Sequence, residues 1–105
     1  MIKKFFADLP ENLSEEFFET IALGKNFRLE RIISNGHSSP DGFWYDQDQD
    51  EFVIIMKGKA ELEFENSKFI NLSPGDYLTI QAHTKHRVSK TSDSEETIWL
   101  TIYYE

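Results

Sequence analysis

From Ala60 to Glu65 apolar and acidic residues alternate without a break, Ala60, Leu62 and Phe64 against Glu61, Glu63 and Glu65. A period of two is that of a strand with one face in a core and the other in water. The same pattern opens at Phe27, where Phe27, Leu29 and Ile33 fall on one side and Arg28 and Glu30 on the other. Glu51 to Lys57 is rich in β-branched and large apolar residues, which reads as a strand buried on both faces and closed at Gly58 by a turn of positive φ. Further strand signals are Phe43-Trp44-Tyr45, Lys68 to Asn71, Tyr77 to Ile80, Arg87-Val88 and the long stretch Thr97 to Tyr104. Turn formers separate them, notably residues 34 to 42, Asn66-Ser67 and Ser73-Pro74-Gly75-Asp76.

One segment reads differently. Asn12 stands three residues before Glu15 in a variant of the capping box, and Phe17, Phe18 and Ile21 fall on one side of a helix. Glu15, Glu16 and Glu19 suit the positive end of the helix dipole, and Gly24 is a C-terminal stop. This predicts one short helix over residues 13 to 23. Many short strands after a single helix predict an all-β sandwich or barrel. No fixed-period repeat interrupts that reading.

Composition narrows the field. At 105 residues the chain fits one domain, which buries roughly 65% of the surface exposed by its unfolded form. Nine Phe, four Tyr and two Trp supply the bulk of the interior in large side chains. A formal net charge of −8 repels phosphate backbones and anionic membranes, so nucleic acid is not an expected partner. The absence of cysteine excludes disulfides, thiolate zinc sites and cysteine nucleophiles, and fits a reducing compartment. The longest strongly apolar run, Phe52 to Met56, is far below the roughly 20 residues that span a bilayer. Phe5-Phe6-Ala7 is too short for a signal sequence, which leaves a cytoplasmic location as the expectation. Phosphate-binding glycine loops, nucleophile elbows and HExxH zinc motifs are absent.

Glu51, six residues on Gly58, then Gly75 and ten residues on His86, resembles in order and spacing the two motifs of the cupins. Those motifs pair a G…HxH…E…G segment with a G…P…G…H segment. Gly42 to Gln47, Pro74 to Tyr77 and Ala82 to Val88 look like a subgroup of small bacterial single-domain cupins of unassigned function. The resemblance implies a double-stranded β-helix, the jelly-roll cupin barrel, here with one short N-terminal helix. It also implies pairing into a homodimer. In cupin relatives two His, the Glu and the later His hold one divalent transition metal. In this chain the two motif histidines fall on Tyr45 and Gln47, the motif proline on Gln81 and the second motif's glycine on His83.

Tyr45, Gln47 and Glu51 share parity, so on adjoining extended segments they project to one face, where His86 from another strand can meet them. Buried polar groups of this kind must bind one another, water, a metal or a ligand. The candidate metal ligands are Gln47, Glu51 and His86, and a His-plus-oxygen set suits zinc, nickel or iron(II). Tyr45, Gln47, Trp44, Trp99 and His83 are the candidate ligand-binding residues, the aromatic ones as an apolar wall. In a catalytic version Glu51 or His86 acts as general base and Tyr45 donates to a developing oxyanion. His37, Lys85, Arg87 and the run Asp46, Asp48, Asp50 read as solvated surface. Two functions follow: a barrel binding a small organic ligand with mononuclear metal chemistry, or a metal-free metabolite-binding or sensing module. A lipocalin-like carrier of an apolar ligand is a third.

Overall fold

The computed structural model describes residues 2–7, 9–10 and 14–105. Among these described residues eight strands follow in chain order: β1 (Phe17–Leu23), β2 (Phe27–Ser34), β3 (Asp50–Lys57), β4 (Ala60–Phe64), β5 (Phe69–Leu72), β6 (Tyr77–Ile80), β7 (His86–Thr91) and β8 (Thr97–Tyr104). They form a five-stranded sheet, β1-β2-β8-β3-β6, facing a three-stranded sheet, β5-β4-β7, and every pairing is antiparallel. β3 and β4 are consecutive in the chain but belong to opposite sheets. The turn at Gly58 (φ +78°) makes that change of layer.

The expected helix over residues 13 to 23 is absent. Residues Phe17–Leu23 are a strand, and Gly24 begins a hairpin turn in which its N–H donates to the Phe27 carbonyl (3.0 Å). Asn12 lies outside the described residues, as does the start of the expected helix. The misreading has a physical cause. Phe17 and Ile21 are four apart, as on a helix, but Phe17 pairs with Ile33 on the outer face while Ile21 sits in a bulge between Thr20 and Ala22. The edge of β2 is also an open row of donors and acceptors, and β1 satisfies it. No helix among the described residues is long and apolar enough to cross a membrane.

Alternation decides what enters the space between the sheets. On β3 Glu51, Val53 and Ile55 are buried, while Phe52, Ile54 and Met56 on the outer face are half-buried; the strand is not covered equally on both sides. On β8 Trp99, Thr101 and Tyr103 point inward beside them, in register Ile55–Trp99, Val53–Thr101 and Glu51–Tyr103. Ala60 and Leu62 of β4 close the cluster from the opposite sheet with Leu72, Ile80 and Ile32. Each large aliphatic side chain buried here stabilises the fold by about 1.5–3 kcal/mol. Apolar packing fills one end of the interior. Polar residues occupy the other, where Glu51, Thr101 and Tyr103 lie.

Candidate functional site

His86 opens β7, and its backbone makes both hydrogen bonds of an isolated bridge to Tyr45, N–H to O at 2.7 and 3.1 Å. Tyr45 therefore belongs to a loop laid along β7 and not to the separate strand that Phe43-Trp44-Tyr45 predicts. Ser39 extends the docking, giving its N–H to the Val88 carbonyl (2.7 Å) and accepting from the Val88 N–H (3.0 Å). The His83 N–H donates to the Gln47 carbonyl (2.8 Å), and the Ala82 N–H to the Asp50 carboxylate (2.8 Å). The turn before β7 and the segment before β3 are thus tied together, which places Tyr45 and Gln47 over the barrel beside His86.

The imidazole of His86 lies between two rings, stacked on Tyr45 (5.5 Å between centroids) and tilted against Phe64 (6.1 Å). Its Nδ1 is 2.8 Å from the Thr84 carbonyl oxygen, which can only accept, so Nδ1 carries the proton. Nε2 is left facing Glu51 Oε1 at 3.4 Å. Both residues are buried. The contact is an ion pair that falls short of hydrogen-bond geometry, and Glu51 Oε1 has no hydrogen-bond partner. Burial pushes the His86 pKa down, but the contact with Glu51, the Thr84 carbonyl and the carboxylate charge outweigh it and raise the value above the ordinary one.

A cavity of about 40 Å³ lies against this pair, room for a group of a few non-hydrogen atoms. Tyr45, Gln47, Glu51, His86 and Trp99 all line it, as do Thr101 and Tyr103. Trp44 and His83 do not. His83 is an exposed side chain with positive φ (+61°), at the position where the cupin motif has glycine, and its ring meets Asp46 (2.9 Å) and Asp48 (3.6 Å) on the outside. Trp44 is half-buried with parity opposite to Tyr45. His37 accepts from the Asn35 N–H in its loop (2.8 Å). Arg87 is not a solvated charge: it is mostly buried and bonded to Glu63 (2.9 Å) and to the Ser39 carbonyl (2.8 Å).

Sequence reasoning missed several wall residues. Glu16, just before β1, lines the cavity with Phe18. Trp99 Nε1–H donates to Ser34 Oγ (3.1 Å), and the Ser34 hydroxyl donates in turn to Glu16. Thr101 is 1% exposed and its hydroxyl, though it faces Tyr103, reaches hydrogen-bond geometry with nothing. Parity with Trp99 was the signal for Thr101 and Tyr103. Glu16 carried none, because the misread helix assigned it to a dipole. Burial, reinforced by the charges of Glu16, Glu51 and Glu30, pushes the Tyr45 phenol up to about 12, so it stays a hydrogen-bond donor. Burial first, then Glu51 and Glu30, likewise raises Tyr103.

A resident metal finds an incomplete donor set here. Glu51 and His86 are good ligands, but the other two motif positions offer a phenol, Tyr45, and an amide oxygen, Gln47, in place of imidazoles. Among the described residues no group of three or more His, Cys, Asp or Glu is arranged to hold a metal ion. The pair itself can hold and pass a proton at His86 Nε2.

Comparison with known proteins agrees with this architecture. The chain is 40% identical to a candidate mannose-6-phosphate isomerase of Ralstonia eutropha JMP134, covering 100% of this chain and 98% of that one with a TM-score of 0.94. A cupin superfamily protein of Desulfitobacterium hafniense DCB-2 is 18% identical over 91% and 83% of the two chains (TM-score 0.75). An RmlC-like cupin with a double-stranded β-helix fold from Methanocaldococcus jannaschii is 15% identical over 99% and 92% (TM-score 0.71). No curated protein sequence matches. The profile described as "Cupin domain" matches residues 30–103, and the chain belongs to the cupin family.

Proposed function

We propose that this cupin binds a small ligand group in the cavity at Glu51 and His86, without a resident metal. The observation that carries the reading is the pair of buried oxygens beside the cavity that fall short of full hydrogen bonds: Glu51 Oε1 has only the long 3.4 Å contact with His86, and Thr101 Oγ1 only its approach to Tyr103. An unsatisfied buried polar atom costs about 1–3 kcal/mol, so the site favours a guest that satisfies both. Tyr45 and Gln47, in place of two imidazoles, weaken the case for a metal and add hydrogen-bonding surface. Elemental analysis of protein purified without chelator tests this: less than a tenth of an equivalent of zinc, nickel or iron is expected. A stoichiometric metal lost in His86→Ala overturns the metal-free reading.

The Ralstonia eutropha relative raises a competing activity, isomerisation of a hexose phosphate. Two observations weigh against it. Among the described residues no Lys or Arg lines the cavity, whereas Glu16 and Glu51 do, and small-molecule pockets usually run to roughly 300–1,000 Å³. Turnover of mannose 6-phosphate is expected to be absent. Catalysis that disappears in Glu51→Gln restores that activity as the function.

Self-association through the outer face of the five-stranded sheet belongs to the same proposal. Leu29, Phe52, Ile54, Leu100 and Ile102 are neighbours there, half-buried by one another, with exposed Phe27 and Tyr77 at the margins. A second copy suits the face because it carries few charges: two chains of net charge −8 can meet there without opposing their carboxylates.

A further inference from the structure

The chemistry of the cavity wall selects among small guests. Among the described residues its formal charges are the carboxylates of Glu16 and Glu51, and its only cationic candidate is His86; the guanidinium of Arg28 lies nearby but over the Tyr103 ring (4.4 Å) and on Glu30 (3.0 Å). The rest of the wall mixes the aromatic rings of Trp99, Tyr45 and Tyr103 with aliphatic side chains such as Val53 and Leu62. Glu51 Oε1 can only accept a hydrogen bond when ionised, and Thr101 Oγ1 has acceptor lone pairs to spare. The two residues are diagonal neighbours on the inward face of the β3–β8 ladder, Glu51 opposite Tyr103 and Val53 opposite Thr101. Diagonal neighbours are about 7–8 Å apart, within the span of one small group placed between them.

We propose that the cavity takes the ammonium end of a small primary amine, held by Glu51 and Thr101 and faced by the surrounding rings. The proposal rests on reading the cavity as a binding site and names the class of its guest. An ammonium brings three donors and no acceptor, which complements a wall whose open atoms accept. Aromatic faces attract such a cation when it is desolvated. A carboxylate or phosphate meets only repulsion from Glu16 and Glu51. The volume admits the ammonium and one or two further heavy atoms.

The test is a titration of the full chain with methylammonium chloride, followed by the NMR signals of the Trp99 indole N–H and the His86 ring. Sodium acetate, inorganic phosphate and methanol serve as comparison probes at equal ionic strength. Methylammonium is expected to shift both signals saturably, and acetate and phosphate are expected to leave them unmoved. Glu51→Gln is expected to weaken binding at least tenfold. Thr101→Val, which removes an unpaired hydroxyl in nearly the same volume, is expected to fold at least as well and still bind several-fold more weakly. Saturable binding of methanol or an anion at these residues, with none of methylammonium, overturns the amine assignment and leaves the binding site standing. Silence of Trp99 and His86 toward every probe overturns both.

Discussion

Glu51 and His86 divide a proton under unequal conditions. The Thr84 carbonyl holds the Nδ1 proton in place, so the only ring atom that changes state is Nε2, the one that faces Glu51. The folded imidazole binds that proton more tightly than an unfolded one does. A raised pKa stabilises the fold fully below the unfolded value of about 6.5, and the contribution is lost as pH rises through the folded value. Glu51→Gln removes the partner. His86 is expected to titrate above 6.5 in the parent and distinctly lower in Glu51→Gln, as read from ring chemical shifts. The parent's stability advantage over Glu51→Gln attributable to His86 is expected to shrink from pH 6 to pH 8 in urea melts. An unchanged His86 titration in the variant removes Glu51 as the cause. Tyr45 is expected to remain protonated at pH 10, as read from an absorbance titration of the parent against Tyr45→Phe.

At the level of the element, turns do as much as strands to bring the site together. Gly58 sits at φ +78°, and a methyl group there would meet the Glu96 carbonyl and the Thr97 hydroxyl at 2.6 Å each. Gly42 has a similar φ of +81° but nothing within 4 Å. Gly58→Ala is therefore expected to cost about 2–4 kcal/mol, and Gly42→Ala about 1 kcal/mol, in chemical denaturation. Equal costs at the two sites would show that φ alone matters. These turns were legible in the sequence because Gly, Pro, Asn and Ser mark backbone geometry directly. Strand parity was legible too, and it gathers Tyr45, Gln47, Glu51 and Trp99 on one wall. The first strand was not. Its residues fit two periodicities, and the choice between them rests on the open edge of β2, a partner far along the chain that local spacing does not report. Glu16 and Phe18 were lost with it. Trp44 and His83 show the opposite limit, since residue type indicated a site but backbone direction turned both away.

For the whole molecule, a charge of −8 and an apolar outer sheet face pull in different directions. The charge keeps copies apart at long range, while the face rewards their contact at short range. Sedimentation is expected to show a dimer that tightens with added salt, and Leu100→Glu at the centre of the face is expected to give a monomer with its fold intact. A monomeric parent at tens of micromolar would assign the face another purpose. The sheet has a further property with consequences for the cavity wall. β1 occupies its margin, bonded to β2 along one side only, yet the residues at its start help wall the cavity. Amide protons on such a margin exchange by local fraying long before the centre opens. Glu16 and Phe18 therefore hang on the least protected part of the sheet, so that stretch of the wall loosens on a timescale separable from the lifetime of the fold.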